Sequence, residues 1–236
     1  ASVFPEEVLV SDTDTEVLDA LKRHHPGIRT VGSDVSAPAG ASVVFGALHP
    51  PALGGALPAI REHLRPESIF ISLAPKLTLA ALADGLGGLA RVVRLIPNAA
   101  SILGAGFNPV ALSPAMTGDE KERLLGWLGT LGDTPEVAEE ELEAYAILTA
   151  MGPTYFWYQF QELADVGCSF GLRREAVEAA LPRMLEGAVR TYFSSGLNPG
   201  EVMDLIPVKP LEAAEGQVRE VYRTKLAALH EKLKTG

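Results

Sequence analysis

The stretch RVVRLIPNAASILGAGFNP, Arg91 to Pro109, constrains the fold of this chain more than any other. Val92, Val93, Leu95 and Ile96 form a short run rich in β-branched residues, the pattern of a strand buried on both faces of a parallel sheet. Pro97 has no amide hydrogen to give to a ladder and ends the strand. Asn98 is then held just past the strand's carboxyl end, where open α/β sheets place their ligands. Gly104-Ala105-Gly106 follows a loop and leads into Asn108-Pro109, which predicts a tight turn rather than a phosphate loop.

The same logic applies upstream. Val8–Asp12 reads as a strand ending in an acidic turn, and a helix follows in which Thr13 and Glu16 are expected to form a capping box. Pro26-Gly27 ends that helix. Ser42–Leu48 is a second buried strand, closed by His49-Pro50-Pro51, and Leu53, Leu57, Ile60 and Leu64 mark the next helix. Ser68–Ala74 is a strand stopped by Pro75, and Thr78 is placed to cap a short helix that Gly85, Gly87 and Gly88 end. NPVALSP and DTPEVA are weaker strand candidates around a helix through Leu124, Leu125, Trp127 and Leu128. Strands alternating with helices at this spacing predict a doubly wound parallel sheet of the Rossmann type. Beyond about Glu139 the pattern is helical throughout. The expected division is an α/β dinucleotide-binding domain over residues 1–138 and an all-helical substrate and dimerisation domain over 139–236.

Composition narrows the functional classes. The net charge is −10 and basic residues do not cluster, which argues against a nucleic-acid partner. The densest basic group, Lys22, Arg23, His24 and His25, closes a helix, where cations complement the macrodipole. The single cysteine, Cys168, excludes an internal disulfide and suits a reducing compartment; its apolar-faced helix predicts a buried, inert thiol. No apolar run approaches membrane-spanning length and no leader-like segment is present, so a soluble cytoplasmic protein without a membrane partner is expected. The five histidines have no ligand spacing, so no metal site is expected. Ser194-Ser195-Gly196 reads as a helix stop rather than a nucleophile elbow. The aromatic run Tyr155–Tyr158 with Phe160 goes round one helix, as core or dimer interface would.

In a parallel sheet, the residues just after each strand collect along one edge. Here they are Asp12, His49-Pro50, Ala74-Pro75-Lys76 and Pro97-Asn98. Asp12 is placed either to bind both ribose hydroxyls of an adenosine or simply to begin the helix turn. His49 and Pro50 would wall a nicotinamide, with Ala74 and Pro97 beside it. Asn98 would hydrogen-bond a carboxamide or carboxylate, or else satisfy local backbone groups. One part is missing. No strand–GxGxxG–helix occurs to face a pyrophosphate, and the opening ASVFPEEVLVSD reads as the approach to a second strand. The expectation is that the first strand, glycine loop and helix lie outside this sequence.

The chain resembles the pyrroline-5-carboxylate reductase family over nearly its whole length. VVFGALHP matches the family's Val-Lys-Pro segment with His49 in place of the lysine, and IPNAASILGAG matches its Pro-Asn-Thr-Pro segment. LTAMGPTY matches the segment typically written Leu-Ser-Gly-Ser-Gly-Pro-Ala-Tyr, retaining Gly152, Pro153 and Tyr155. The resemblance implies hydride transfer from NADH or NADPH to the imine carbon of 1-pyrroline-5-carboxylate, giving proline, in a homodimer or ring of dimers joined through the helical domain. It implies Tyr155 and Thr149 as catalytic candidates and Met151, Gly152 and Lys209 as substrate-binding candidates. Asp12 and Asp14 would repel a 2′-phosphate, which favours NADH.

Departures fall at the substrate end. Ala150 and Met151 stand where the family has small and hydroxyl residues, and Thr149 partly replaces the lost hydroxyl. The family's Ser-Pro-Gly-Gly-Thr-Thr loop falls at Ile206–Leu211, which here reads IPVKPL; Lys209 is left as the candidate carboxylate anchor. Three readings follow: a reductase of this imino acid or of a related small imine or oxo acid, a non-catalytic nucleotide-sensing or dimeric relative, and a deazaflavin- or β-hydroxyacid-type reductase. The β-hydroxyacid type wants a lysine on a helix of the second domain, and no residue here is convincing for that role.

Overall fold

A computed structural model describes residues 5–234 of the chain. Two compact units are present: one runs to Ala150 and takes in the end of the last helix from His230, and the other spans Met151–Leu229.

In the first unit, β1 (Leu9–Val10) leads into α1 (Thr15–His24). The cap differs from the expected Thr13. Asp12 Oδ1 accepts the Asp14 amide at 2.9 Å, and this turn puts Asp14 at the cap, where Oδ1 accepts the amides of Glu16 and Val17 at 2.9 and 3.3 Å. A carboxylate also suits the positive helix end better than a hydroxyl does. β2 (Arg29–Thr30) pairs parallel with β1; its two residues are too few to leave an alternation in sequence. After α2 (Ser36–Ala39), the strands β3 (Val43–Gly46), β4 (Ile69–Ser72) and β5 (Val92–Leu95) lie side by side and parallel, as expected. They alternate with α3 (Pro50–Arg61) and α4 (Leu79–Gly85), the latter capped by Thr78 as expected.

The chain then passes through β6 (Gly106–Phe107) to β7 (Val110–Leu112), which closes the sheet antiparallel to β5. α5 (Gly118–Leu128) covers it, and β8 (Gly132–Asp133) pairs with β6. DTPEVA contributes only the end of β8 and a bridge from Glu136 to Val110. Successive strand residues face opposite sides. Phe70 and Val92 therefore join Leu53, Leu57 and Leu82 on one face, while Ile71 and Val93 join Val110, Leu124 and Leu128 on the other.

The stretch after Glu139, expected as one helix opening the second domain, is three pieces: a 3-10 turn (Glu139–Glu141), α6 (Leu142–Tyr145) and a π-turn (Ala146–Ala150). Leu142 and Ala146 pack with Ile96 and Ala111 from the sheet, so this stretch belongs to the first unit and the division falls after Ala150 rather than near 138.

The second unit holds α7 (Thr154–Ser169), α8 (Arg174–Ser194), α9 (Pro199–Asp204) and most of α10 (Glu212–Lys234). α7 and α8 approach closely at Gly167, where a β-carbon would lie 3.1 Å from Val177. Arg174 and Asp165 pair across them at 2.8 Å. α8 stops at Ser194, with Gly196 at φ +82°, as expected of Ser-Ser-Gly. Cys168 is half-buried rather than buried, because α7 has no fully buried side chain of its own.

Candidate functional site at the strand ends

The register of β3, β4 and β5 sets Gly46 beside Ser72 and Ser72 beside Arg94. The segments that follow these strands thus leave one edge of the sheet next to each other. His49 is exposed and caps α3 through its backbone, with Pro50 in the first turn. Ala74 is buried, and its amide donates to Ser72 Oγ at 3.2 Å. Lys76 adopts a left-handed φ of +74°, unlike any other non-glycine residue described. Pro97 is exposed and Asn98 half-buried. Asp12 does not join this edge as expected: it follows β1, which pairs only with β2 in a two-stranded sheet of its own, and one of its oxygens is committed to the α1 turn.

Asn98 is the most connected of these residues. Its amide hydrogen goes to Asn108 Oδ1 at 2.8 Å, its Oδ1 accepts from Ala100 N at 2.9 Å, and its Nδ2 donates to the Thr149 carbonyl at 2.6 Å. The last bond has a local cause. In a regular helix the Thr149 carbonyl would accept from the amide of residue 153, and that residue is a proline with no hydrogen to give. The Asn98 side chain supplies the missing donor. It thereby ties the end of β5 to the π-turn, a type of distortion that recurs at functional sites.

The Thr149 hydroxyl donates to the Tyr145 carbonyl at 2.8 Å, so both its backbone and its side chain are engaged. Asn108, buried and absent from the sequence reading, accepts from Asn98 N and from Ser101 Oγ at 2.9 Å. Gly106 makes this cluster possible, since a β-carbon there would lie 2.2 Å from Ser101 Oγ and 2.7 Å from Asn108 Nδ2.

Beneath the edge lies a charge cluster that the sequence reading also missed. Arg94 is 2% exposed and bonds Glu139 Oε1 at 3.1 Å and Glu143 Oε1 at 2.5 Å, while its Nε finds no partner among the described residues. The same carboxylate oxygens accept backbone amides, Leu79 N at 2.6 Å and Lys76 N at 3.2 Å. The available signal was a lone arginine inside an otherwise apolar strand, which demands a partner when buried.

Met151, Gly152, Tyr155 and Lys209 lie in the second unit. The Met151 carbonyl accepts from both the amide and the hydroxyl of Thr154, shaping the Gly-Pro turn at the start of α7. Tyr155 meets Tyr222 of α10 edge to face, with centroids 5.9 Å apart. Burial first, and then the neighbouring phenol, push the Tyr155 hydroxyl above the ordinary tyrosine range. At neutral pH it is therefore a hydrogen-bond donor, not a base. Lys209 pairs with Asp204 at 3.2 Å.

No family model matches the chain. It is 25% identical over 205 residues to a pyrroline-5-carboxylate reductase of Corynebacterium melassecola, covering 86% of this chain and 76% of that protein. A pyrroline-5-carboxylate reductase of Bacillus subtilis is 24% identical over 164 residues, 70% of this chain and 55% of its own length. Over most of its length this chain is thus similar to proteins named pyrroline-5-carboxylate reductase. The fold agrees: the structure of a pyrroline carboxylate reductase of Plasmodium falciparum, solved with NADP bound, superposes with a TM-score of 0.73. That superposition has 20% identity and covers 89% of this chain and 82% of the other.

Among the described residues, no helix is long and apolar enough to cross a membrane, and no group of histidine, cysteine and acidic side chains is arranged to hold a metal ion.

Proposed function

We propose that the protein is a nicotinamide-dependent reductase that converts 1-pyrroline-5-carboxylate, or a close cyclic imino acid, to the saturated amino acid. The observation that carries this is the match to reductases of that name over 86% of the chain, with the matched Pro97-Asn98 segment at the carboxyl edge of a parallel sheet. A nicotinamide dinucleotide fits the edge in part. Three adjacent strand ends leave His49 and Pro97 exposed there, open to the nicotinamide half. The backbone amides that cradle a pyrophosphate are not supplied by a glycine-rich strand–turn–helix among the described residues.

When bound, the dinucleotide supplies the hydride. His49, Pro50, Ala74 and Asn98 would border the ring, and Asp12 would face a ribose. The acids at Asp12 and Asp14 support NADH over NADPH, since a 2′-phosphate would meet like charge. The resemblance supports Thr149 in the first unit and, in the second, Met151, Gly152, Tyr155 and Lys209 as candidates for the imino acid, with Tyr155 as a donor and Lys209 as a carboxylate contact. Catalysis would come from alignment of the two reactants more than from a strong acid. We also propose a homodimer. Within residues 151–229 only Gly152 and Val177 are buried, too little for such a unit to hold by itself, and a second copy supplies the missing cover.

Calorimetric binding of NADH and NADPH, repeated with L-proline, tests the reading. Dinucleotide binding that L-proline strengthens is expected, with NADH the tighter of the two. Binding indifferent to proline would move the substrate to another imine or oxo acid. No binding would favour the non-catalytic relative, which the IPVKPL segment in place of the family's substrate loop would then explain.

A further inference from the structure

Lys76 occupies a conformation its side chain disfavours. At φ +74° a β-carbon crowds the backbone, and glycine would meet the same turn without that cost. The turn is not left to chance. The Lys76 amide is held by Glu143 Oε1 at 3.2 Å, and Glu143 is held by buried Arg94 at 2.5 Å. A strained residue kept by so specific a tether, at a sheet edge where ligands bind, points to a use for its side chain. What lysine adds over glycine is a cation. Among the described residues its ammonium makes no ion pair, and the nearby acids Glu139 and Glu143 pair with Arg94. Lys76 follows β4, whose neighbours β3 and β5 lead to His49 and Asn98.

We infer that Lys76 is an anion anchor of the strand-end site, taking the carboxylate of the small acid or a phosphate of the dinucleotide. The inference deepens the reductase reading and rests on it. In a chain of net charge −10, one unpaired lysine at this edge would offset the repulsion an anionic ligand meets.

The test compares wild type with Lys76→Met, which removes the charge and keeps the strain, and Lys76→Gly, which removes both. NADH, NADPH and L-proline are titrated into each, and thermal unfolding is followed. Lys76→Gly is expected to be at least as stable as wild type, so lost binding in that variant cannot be blamed on misfolding. Both variants are expected to bind the anchored ligand about tenfold more weakly, the loss of one charge-assisted hydrogen bond. Weakening confined to L-proline assigns the carboxylate, and weakening of both dinucleotides assigns a phosphate. Unchanged affinities in both variants, with wild type binding normally, would overturn the inference alone. Absence of binding in wild type would overturn the reductase reading, and the anchor with it.

Discussion

Asn98 serves two masters at the residue scale, and the backbone is the one whose claim is visible. Its amide answers the Thr149 carbonyl that Pro153 leaves without a donor. A carboxylate of the same size cannot donate and would sit against that carbonyl. Asn98→Asp should therefore destabilise the first unit by about 1–3 kcal/mol, the cost of a partly buried acceptor left unmade. Urea unfolding of the two proteins measures it. An unchanged midpoint would mean that the amide is kept for a ligand and not for the carbonyl. Asn98 and Thr149 were each legible in the sequence as candidate residues. The bond between them was not, because the bonded groups are 51 residues apart and nothing local records the pairing.

At the element scale, polar contacts between neighbouring pieces do what apolar burial does not. α7 has no buried side chain, and its hold on α8 includes the Asp165–Arg174 pair. The Arg174 guanidinium first, and then Gln161, keep the Asp165 carboxyl below the ordinary aspartate range. A depressed folded value contributes stability above the unfolded value of about 3.9, and the contribution fades as pH falls through the folded value. Asp165→Asn should lower the unfolding temperature slightly near neutral pH, and that deficit should shrink steadily as pH falls below about 3.9 and wild type takes up the proton. A deficit that persisted in acid would trace the effect to packing instead. The β5-to-139–150 connection uses both kinds of contact: Leu142 and Ala146 pack on Ile96 and Ala111, and Arg94 grips Glu139 and Glu143, across a stretch that pattern reading assigned to the helical domain. Acids in the first turn of a helix are ordinary, so nothing in EEELEAY marked two of them as partners of a buried arginine.

For the whole molecule, exposed aromatic surface is the quantity to account for. Tyr158 is 68% exposed and Phe193 78%, on helices that bury little else. If a second copy covers them, sedimentation of the wild type should give a dimer or a multiple of one. Phe193→Glu, by placing a charge in the covered face, should shift the population to monomer and lower the melting temperature together. A wild type that sediments as a stable monomer would remove the dimer from the proposal. The aromatic run was legible as something to be buried; what buries it is a property of the assembly.

The sequence by itself determined the order of the longer strands and helices, the parallel sheet from β3 to β5, and the position of Asn98 beyond β5. Those features follow from periodicity, proline stops and caps, which act within a few residues. Only the tertiary structure decided that β7 runs antiparallel and that Arg94 is buried in a charge cluster. It also decided that residues 139–150 pack with the sheet and that Lys76 is held left-handed at the site's edge. Each of these depends on partners distant in the chain, whose meeting is set by how the elements pack and not by any local preference.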